Sequence, residues 1–180
     1  MKRILGLDVG DKTLGLAVSD ELGLTAQGVT VQQRSTLAAD MAFLRETCTL
    51  YEVEAIVVGL PKNMDGSLGA QAQKTLAFIE HVRRGTTVPV IPWDERLTTQ
   101  AAERALLETN TSRRRRKAVR DRLAAQLILQ SYLEWRARHP SVAALTTGQL
   151  PPLREGFPPE NDTAEAQRDE MWKPDTEQQR

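Results

Sequence analysis

Cysteine occurs once in the 180 residues, at Cys48, and histidine only twice, at His81 and His139. One thiol excludes a disulfide framework and a cysteine-rich zinc cage, and two imidazoles do not furnish a histidine-dominated metal centre. Any metal must sit on oxygen. Long hydrophobic runs are also missing. No stretch approaches the ~20 apolar residues that cross a bilayer, and Met1-Lys2-Arg3 runs straight into a strand pattern, so a cytoplasmic protein is expected. Proline is scarce over most of the chain, because six of the nine lie at 140, 151, 152, 158, 159 and 174.

A surplus of one sign is absent overall, with 24 basic and 24 acidic residues, but the charges are unevenly placed. Residues 140–180 hold four Lys/Arg against eight Asp/Glu, which makes them about −4 and leaves residues 1–139 near +4. With few apolar residues, this acidic, proline-rich tail cannot bury enough surface to offset the entropy of ordering. The expected organisation is therefore one folded domain over 1–139 and a disordered tail over 140–180.

In the body, Ile4-Leu5-Gly6-Leu7 is a short apolar run that stops at Asp8, before a turn at Gly10-Asp11-Lys12. Leu14, Leu16 and Val18 alternate with smaller or polar neighbours, and a turn at Asp20–Gly23 precedes a third strand over 24–31, giving an antiparallel meander. Leu37, Met41, Leu44, Cys48 and Tyr51 recur at helical spacing after Ser35, the expected N-cap. Cys48 is read as a buried hydrophobe on that stripe. Ala55–Leu60 is apolar throughout, the pattern of a parallel strand covered on both faces. A helix with Ala72, Leu76, Ile79 and Val82 on one face follows, with His81 off that face and solvated, and then a strand over 88–91. Thr98 or Thr99 caps a further helix with Ala102, Ala105 and Leu106 inward, and the last helix runs from about Ser112 to Arg138 with Ala118, Ala125, Ile128 and Tyr132 inward. The expected fold is a mixed α/β sandwich: three antiparallel strands, two parallel ones, and right-handed crossovers.

In such a sheet, sites form outside the carboxyl ends of the parallel strands, where Asp8 and Glu95 both fall. Asp121 lies four residues before Ala125 and seven before Ile128, so its carboxylate belongs to the core-facing stripe of the last helix. Each acid alone has a plainer reading: a cap on the Gly10 turn for Asp8, a pair with Arg96 for Glu95, and a pair with Lys117 for Asp121. Together, three convergent carboxylates without histidines suit Mg²⁺ or Mn²⁺ in a two-metal phosphodiesterase site. The run Arg113-Arg114-Arg115-Arg116-Lys117, extended by Arg120 and Arg122, adjoins Asp121. Beside a metal carboxylate it would track a phosphate backbone, which makes nucleic acid the expected ligand.

Four ordered blocks resemble the YqgF/RuvX family over roughly residues 3–135: Gly6-Leu7-Asp8-Val9-Gly10-Asp11-Lys12; Val58-Gly59-Leu60-Pro61 with Asn63-Met64-Asp65-Gly66; Asp94-Glu95-Arg96-Leu97-Thr98-Thr99; and Asp121-Arg122-Leu123-Ala124-Ala125 with Ile128-Leu129-Gln130. The resemblance implies an RNase H-like fold and a nuclease, either resolving Holliday junctions or processing the 5′ end of pre-16S ribosomal RNA. It places the family's acids at Asp8, Glu95 and Asp121, and puts Lys12, Lys62, Asn63, Arg96 and Thr98 in matched loops as candidate phosphate contacts. The chain departs from the family's usual pattern at Asp11, Thr13 and Arg120. Symmetric cutting of a junction would need two active sites and hence a homodimer.

Two rival readings stand beside this one. A phosphotransferase of the actin/hexokinase type shares the Asp8-Val9-Gly10 turn, but it needs a second lobe for which the length leaves no room. A non-catalytic RNA-binding module in ribosomal RNA maturation or transcription explains the basic residues without chemistry, and metal dependence separates it from a nuclease.

Overall fold

The computed structural model describes residues 2–97 and 113–140. The chain divides into two units, Met1–Leu150 and Pro151–Arg180, and everything described lies in the first. The expected helix after Thr98, and the tail from 141 onward, fall outside the described residues.

Strands β1 (Arg3–Val9), β2 (Thr13–Ser19) and β3 (Ala26–Gln33) form the meander. They are followed by α1 (Leu37–Leu50), β4 (Val53–Leu60), α2 (Ala70–Gly85), β5 (Val90–Asp94), a 3₁₀ turn at Glu95–Leu97, and α3 (Arg113–Arg138). The sheet order is β3-β2-β1-β4-β5, with β1 antiparallel to β2, β2 antiparallel to β3, and both β1 and β5 parallel to β4. This is the expected RNase H-like mixed sheet. The central strands β1 and β4 are buried along almost their whole length because helices cover both of their faces.

Some boundaries differ from the sequence reading. The third strand begins at Ala26 because the Asp20 carboxylate accepts the N–H groups of Leu24 and Thr25, at 2.7 and 3.0 Å, closing a longer turn. Gly23 supplies the positive φ of 67° that this turn requires. The N-cap of α1 is Thr36 rather than Ser35, its hydroxyl accepting the Ala39 N–H at 3.2 Å. Leu37 is 40% exposed, while Asp40 is buried in a 2.8 Å pair with Arg34. Strand β5 reaches Asp94 because β4 continues to Leu60 and offers it a partner. Pro92 is tolerated there because β5 is an edge strand.

Two apolar layers sandwich the sheet. On one face Leu5, Leu7, Leu14, Leu16, Ile56 and Val58 meet Met41 and Leu44 of α1 and Phe78, Ile79 and Val82 of α2. Cys48 packs against this layer, and burial pushes its thiol pKa up, as suits a hydrophobe. On the other face Ile4, Ala17, Val57, Ile91 and Trp93 meet Ala125, Ile128, Leu129, Tyr132 and Leu133 of α3. Each Val, Leu, Ile, Met or Phe among them stabilises by about 1.5–3 kcal/mol on full burial.

The seat of α3 is a row of small residues. Gly6 pairs with Ala17 and Ala17 with Gly28 in the ladders, so three adjacent strands present almost no side chain along one line. A Cβ on Gly6 would stand 2.7 Å from the Leu129 Cβ and 3.0 Å from the Ala125 carbonyl oxygen. One on Gly28 would stand 2.7 Å from the Arg122 Cγ. The helix lies on the backbone of the sheet.

Candidate active site

Strand parity decides which side chains share the α3 face. Leu5, Leu7 and Val9 belong to the layer under α1 and α2, so Ile4, Gly6 and Asp8 turn to α3. On β2 the same alternation sends Thr13, Gly15 and Ala17 to that face. From the end of β5, Glu95 reaches over Gly59: a Cβ on that glycine would lie 2.6 Å from the Glu95 Oε1 and 2.5 Å from the Ile128 Cδ1. Asp121, 9% exposed, descends from α3 in line with buried Ala125, Ile128 and Tyr132, as its spacing predicts.

The approach of α3 is closest beside Asp8. Gly15 is the ladder partner of Asp8, and a Cβ on it would collide with the Asp121 backbone carbonyl and lie 3.4 Å from the Asp8 Cβ. Thr13, buried in the same strand, donates its hydroxyl to the Asp121 Oδ2 at 2.8 Å. The turn after Asp8 is tied down as well. Arg34 donates to the Gly10 carbonyl at 2.9 Å while its guanidinium lies 4.7 Å from the Phe78 ring centroid.

The electrostatics link the three acids. Burial pushes the Asp8 carboxyl up to about 6, with the charge of Asp121 adding to the rise and Arg120, exposed on α3, opposing it. Burial pushes Glu95 up to about 7, aided by the charges of Asp8 and Asp94. Asp8 is thus the member that acts on both sides. Among the described residues, no three Asp, Glu, His or Cys side chains stand close enough as they are to enclose a single ion. The coupling is pairwise through Asp8. The donors nevertheless fit a hard divalent cation, since all are carboxylate oxygens and a positive ion would offset the burial and the mutual repulsion that together raise Asp8 and Glu95.

The candidate phosphate contacts divide. Lys62 and Arg96 both pair with Asp94, at 3.4 and 2.8 Å. Burial works to raise the Asp94 carboxyl, but the hydrogen bonds from Arg96 and the charge of Lys62 outweigh it and hold the group below the usual carboxylate range. Asn63 is occupied within its own loop, its side-chain amide donating to the Ser67 Oγ at 2.8 Å and its N–H to the Ser67 carbonyl at 3.0 Å. Lys12 is exposed on the turn after β1. Thr98 and the side chains of Arg113–Lys117 lie outside the described residues, although the backbone of α3 starts at Arg113.

Sequence reasoning assigned no role to Thr13, to Asp94 or to the glycines beneath α3. Parity in β2 could have shown Thr13 on the α3 face. The glycine row becomes visible only once the ladders are in register.

The sequence profile of the RuvX family, described as Holliday junction resolvase, matches residues 2–135. A protein of Clostridium acetobutylicum named "Putative pre-16S rRNA nuclease" is 53% identical over 131 residues, which cover 73% of this chain and 97% of that one. A protein of the same name from Desulforamulus reducens is 53% identical over 132 residues, covering 73% and 96%. Among solved structures, RuvC of T. thermophilus in complex with a Holliday junction substrate matches at 17% identity and a TM-score of 0.48, over 75% of this chain and 96% of that one. The yeast mitochondrial Holliday junction resolvase Ydc2 matches at 13% identity and a TM-score of 0.44, over 83% and 85%.

Proposed function

Since the chain belongs to the RuvX family, we propose that it is a metal-dependent nuclease that hydrolyses phosphodiester bonds in structured nucleic acid, with Asp8, Glu95 and Asp121 as its catalytic acids. The observation that carries the reading is the coupling of buried carboxylates from β1, the end of β5 and α3 at the carboxyl end of the parallel strands. The names of the relatives point to precursor 16S ribosomal RNA, and the family description to Holliday junction DNA.

Asp8, Glu95 and Asp121 would hold Mg²⁺ or Mn²⁺. Such ions supply a hydroxide-like nucleophile near neutral pH and stabilise the departing oxygen. The chain's own groups do the rest. Thr13 fixes one oxygen of Asp121 and thereby the face the other presents. Gly59 leaves room for the Glu95 carboxylate to lie over β4. Lys12, Lys62, Asn63, Arg96, Thr98 and the run Arg113–Lys117 serve the reading as backbone contacts, and Arg120 places a positive charge near Asp8.

Incubating the full chain with a synthetic four-way DNA junction and with a precursor 16S rRNA fragment, each with Mg²⁺, Mn²⁺ or chelator, tests this. Cation-dependent cleavage of at least one substrate, lost in Asp8→Asn, is the expected result. Undiminished cleavage in chelator would defeat the proposal, and binding without any cleavage would favour an RNA-binding module.

A further inference from the structure

Asp94 stands at the centre of a second polar cluster beside the acids. Its carboxylate, only 7% exposed, receives the Arg96 Nε at 3.1 and 3.2 Å on its two oxygens, the Arg96 Nη2 at 2.8 Å on Oδ2, and the Arg96 backbone N–H at 3.0 Å on Oδ1. The Lys62 Nζ stands 3.4 Å from Oδ2. One buried anion therefore holds two cations from different segments, the loop after β4 and the turn after β5. The cations reach the surface, with side chains 19% and 38% exposed, while the anion does not.

This arrangement is more than charge neutralisation. Two cations converge on one carboxylate next to Glu95, and the Arg96 charge also acts on Asp65. The forked hydrogen bonds fix the plane of the guanidinium, which a single contact would not do. The Arg96 Nη1 is directed over the 61–67 loop, where it donates to the Met64 carbonyl at 3.4 Å, and that loop is braced internally by Asp65 accepting the Ser67 N–H and hydroxyl at 2.9 and 2.7 Å. The guanidinium is thus attached to structured backbone as well as to Asp94.

We propose that Lys62 and Arg96, oriented by Asp94, form a subsite for one backbone phosphate of the bound nucleic acid, flanking the bond that is cut, and that Asp94 is a positioning residue. A polyanion approaching three carboxylates is repelled by them, and a fixed positive pair at their edge offsets that repulsion and sets the register of the strand. The position of the cut rests on the nuclease reading, whereas the phosphate contact itself needs no cleavage.

The test has a binding arm and a turnover arm. In chelator, binding of a synthetic four-way DNA junction and of an RNA hairpin is measured across salt concentrations. Lys62→Ala and Arg96→Ala should each weaken the affinity for the preferred probe about 3- to 10-fold and reduce its salt slope by about one. Asp94→Asn removes no positive charge, so its affinity should stay within about threefold of the native chain, while turnover at saturating substrate falls about tenfold or more. Adding Arg96→Ala to Asp94→Asn should lower turnover little beyond the worse single variant, because the two act through one contact. Unchanged affinity in both alanine variants overturns the subsite whatever happens to cleavage. Multiplicative losses in the double variant, with melting temperatures preserved, overturn the positioning role. A native chain that does not cleave speaks against the nuclease reading alone, and the binding arm then decides the subsite. Should Asp94→Asn not fold, the two alanine variants decide it.

Discussion

Asp8 and Glu95 hold their protons to about pH 6 and 7, well above the carboxylate range of an unfolded chain. Between about pH 4 and those values the folded chain therefore binds more protons than the unfolded one, so stability falls as pH rises through that window and levels off above it. Asp94 has the opposite sign. Its lowered pKa gives a contribution that is present above the ordinary carboxylate range and is lost only as pH falls below it. The metal-free protein should consequently melt at a lower temperature near pH 8 than near pH 5. Calorimetry should find the difference reduced in Asp8→Asn, and Mg²⁺ or Mn²⁺ should recover the melting temperature near pH 8. Mg²⁺ or Mn²⁺ binding to the metal-free chain should tighten between about pH 6 and 7, as both carboxylates lose the protons that compete with a cation. Neutralising one acid, by Asp8→Asn, Glu95→Gln or Asp121→Asn, should lower turnover about 10²-fold or more, the scale of losing one charge-stabilising group. Junction or RNA binding measured in chelator should survive those substitutions.

The elements meet where side chains are smallest. Helix α3 brings Asp121 to Asp8 only because Gly6, Gly15 and Gly28 let it rest against backbone, and Glu95 reaches the same face because Gly59 leaves it room. Gly15→Ala should force the Asp121 carbonyl away from β2. Overpacking of this kind costs about 1–3 kcal/mol, read as a lower melting temperature, and turnover should fall more than the loss of folded protein explains. Gly59→Ala should disturb Glu95 and Ile128 together. If either variant kept native turnover at saturating substrate, close packing would not be what sets the acids. The strand cores and helix stripes that form this assembly were legible in alternation and in 3.6-residue spacing. The ends of β3 and β5 and the cap of α1 were not, because Asp20, Leu60 and Thr36 fix them through particular hydrogen bonds and ladder pairs.

At the scale of the whole molecule, a near-neutral chain carries a positive body with a basic run, Arg113–Lys117, at the start of the helix that bears Asp121. Replacing Arg113–Arg116 with alanine should weaken nucleic-acid binding and flatten its dependence on salt, by a slope of about 0.9 for each duplex phosphate that is no longer neutralised. Unaltered affinity would identify the run as a solvated face. Among the described residues no helix is long and apolar enough to cross a membrane. The chain order of the strands and the choice of candidate acids were already legible in the sequence, since composition, periodicity and strand ends are local properties that survive without any partner. Only the tertiary structure decided that Thr13 bonds Asp121 across 108 positions, that Asp94 holds Lys62 and Arg96, and that glycines on three strands line up beneath one helix. Those contacts depend on ladder register and on the distance between a helix and a sheet, which come into being only when distant segments pack.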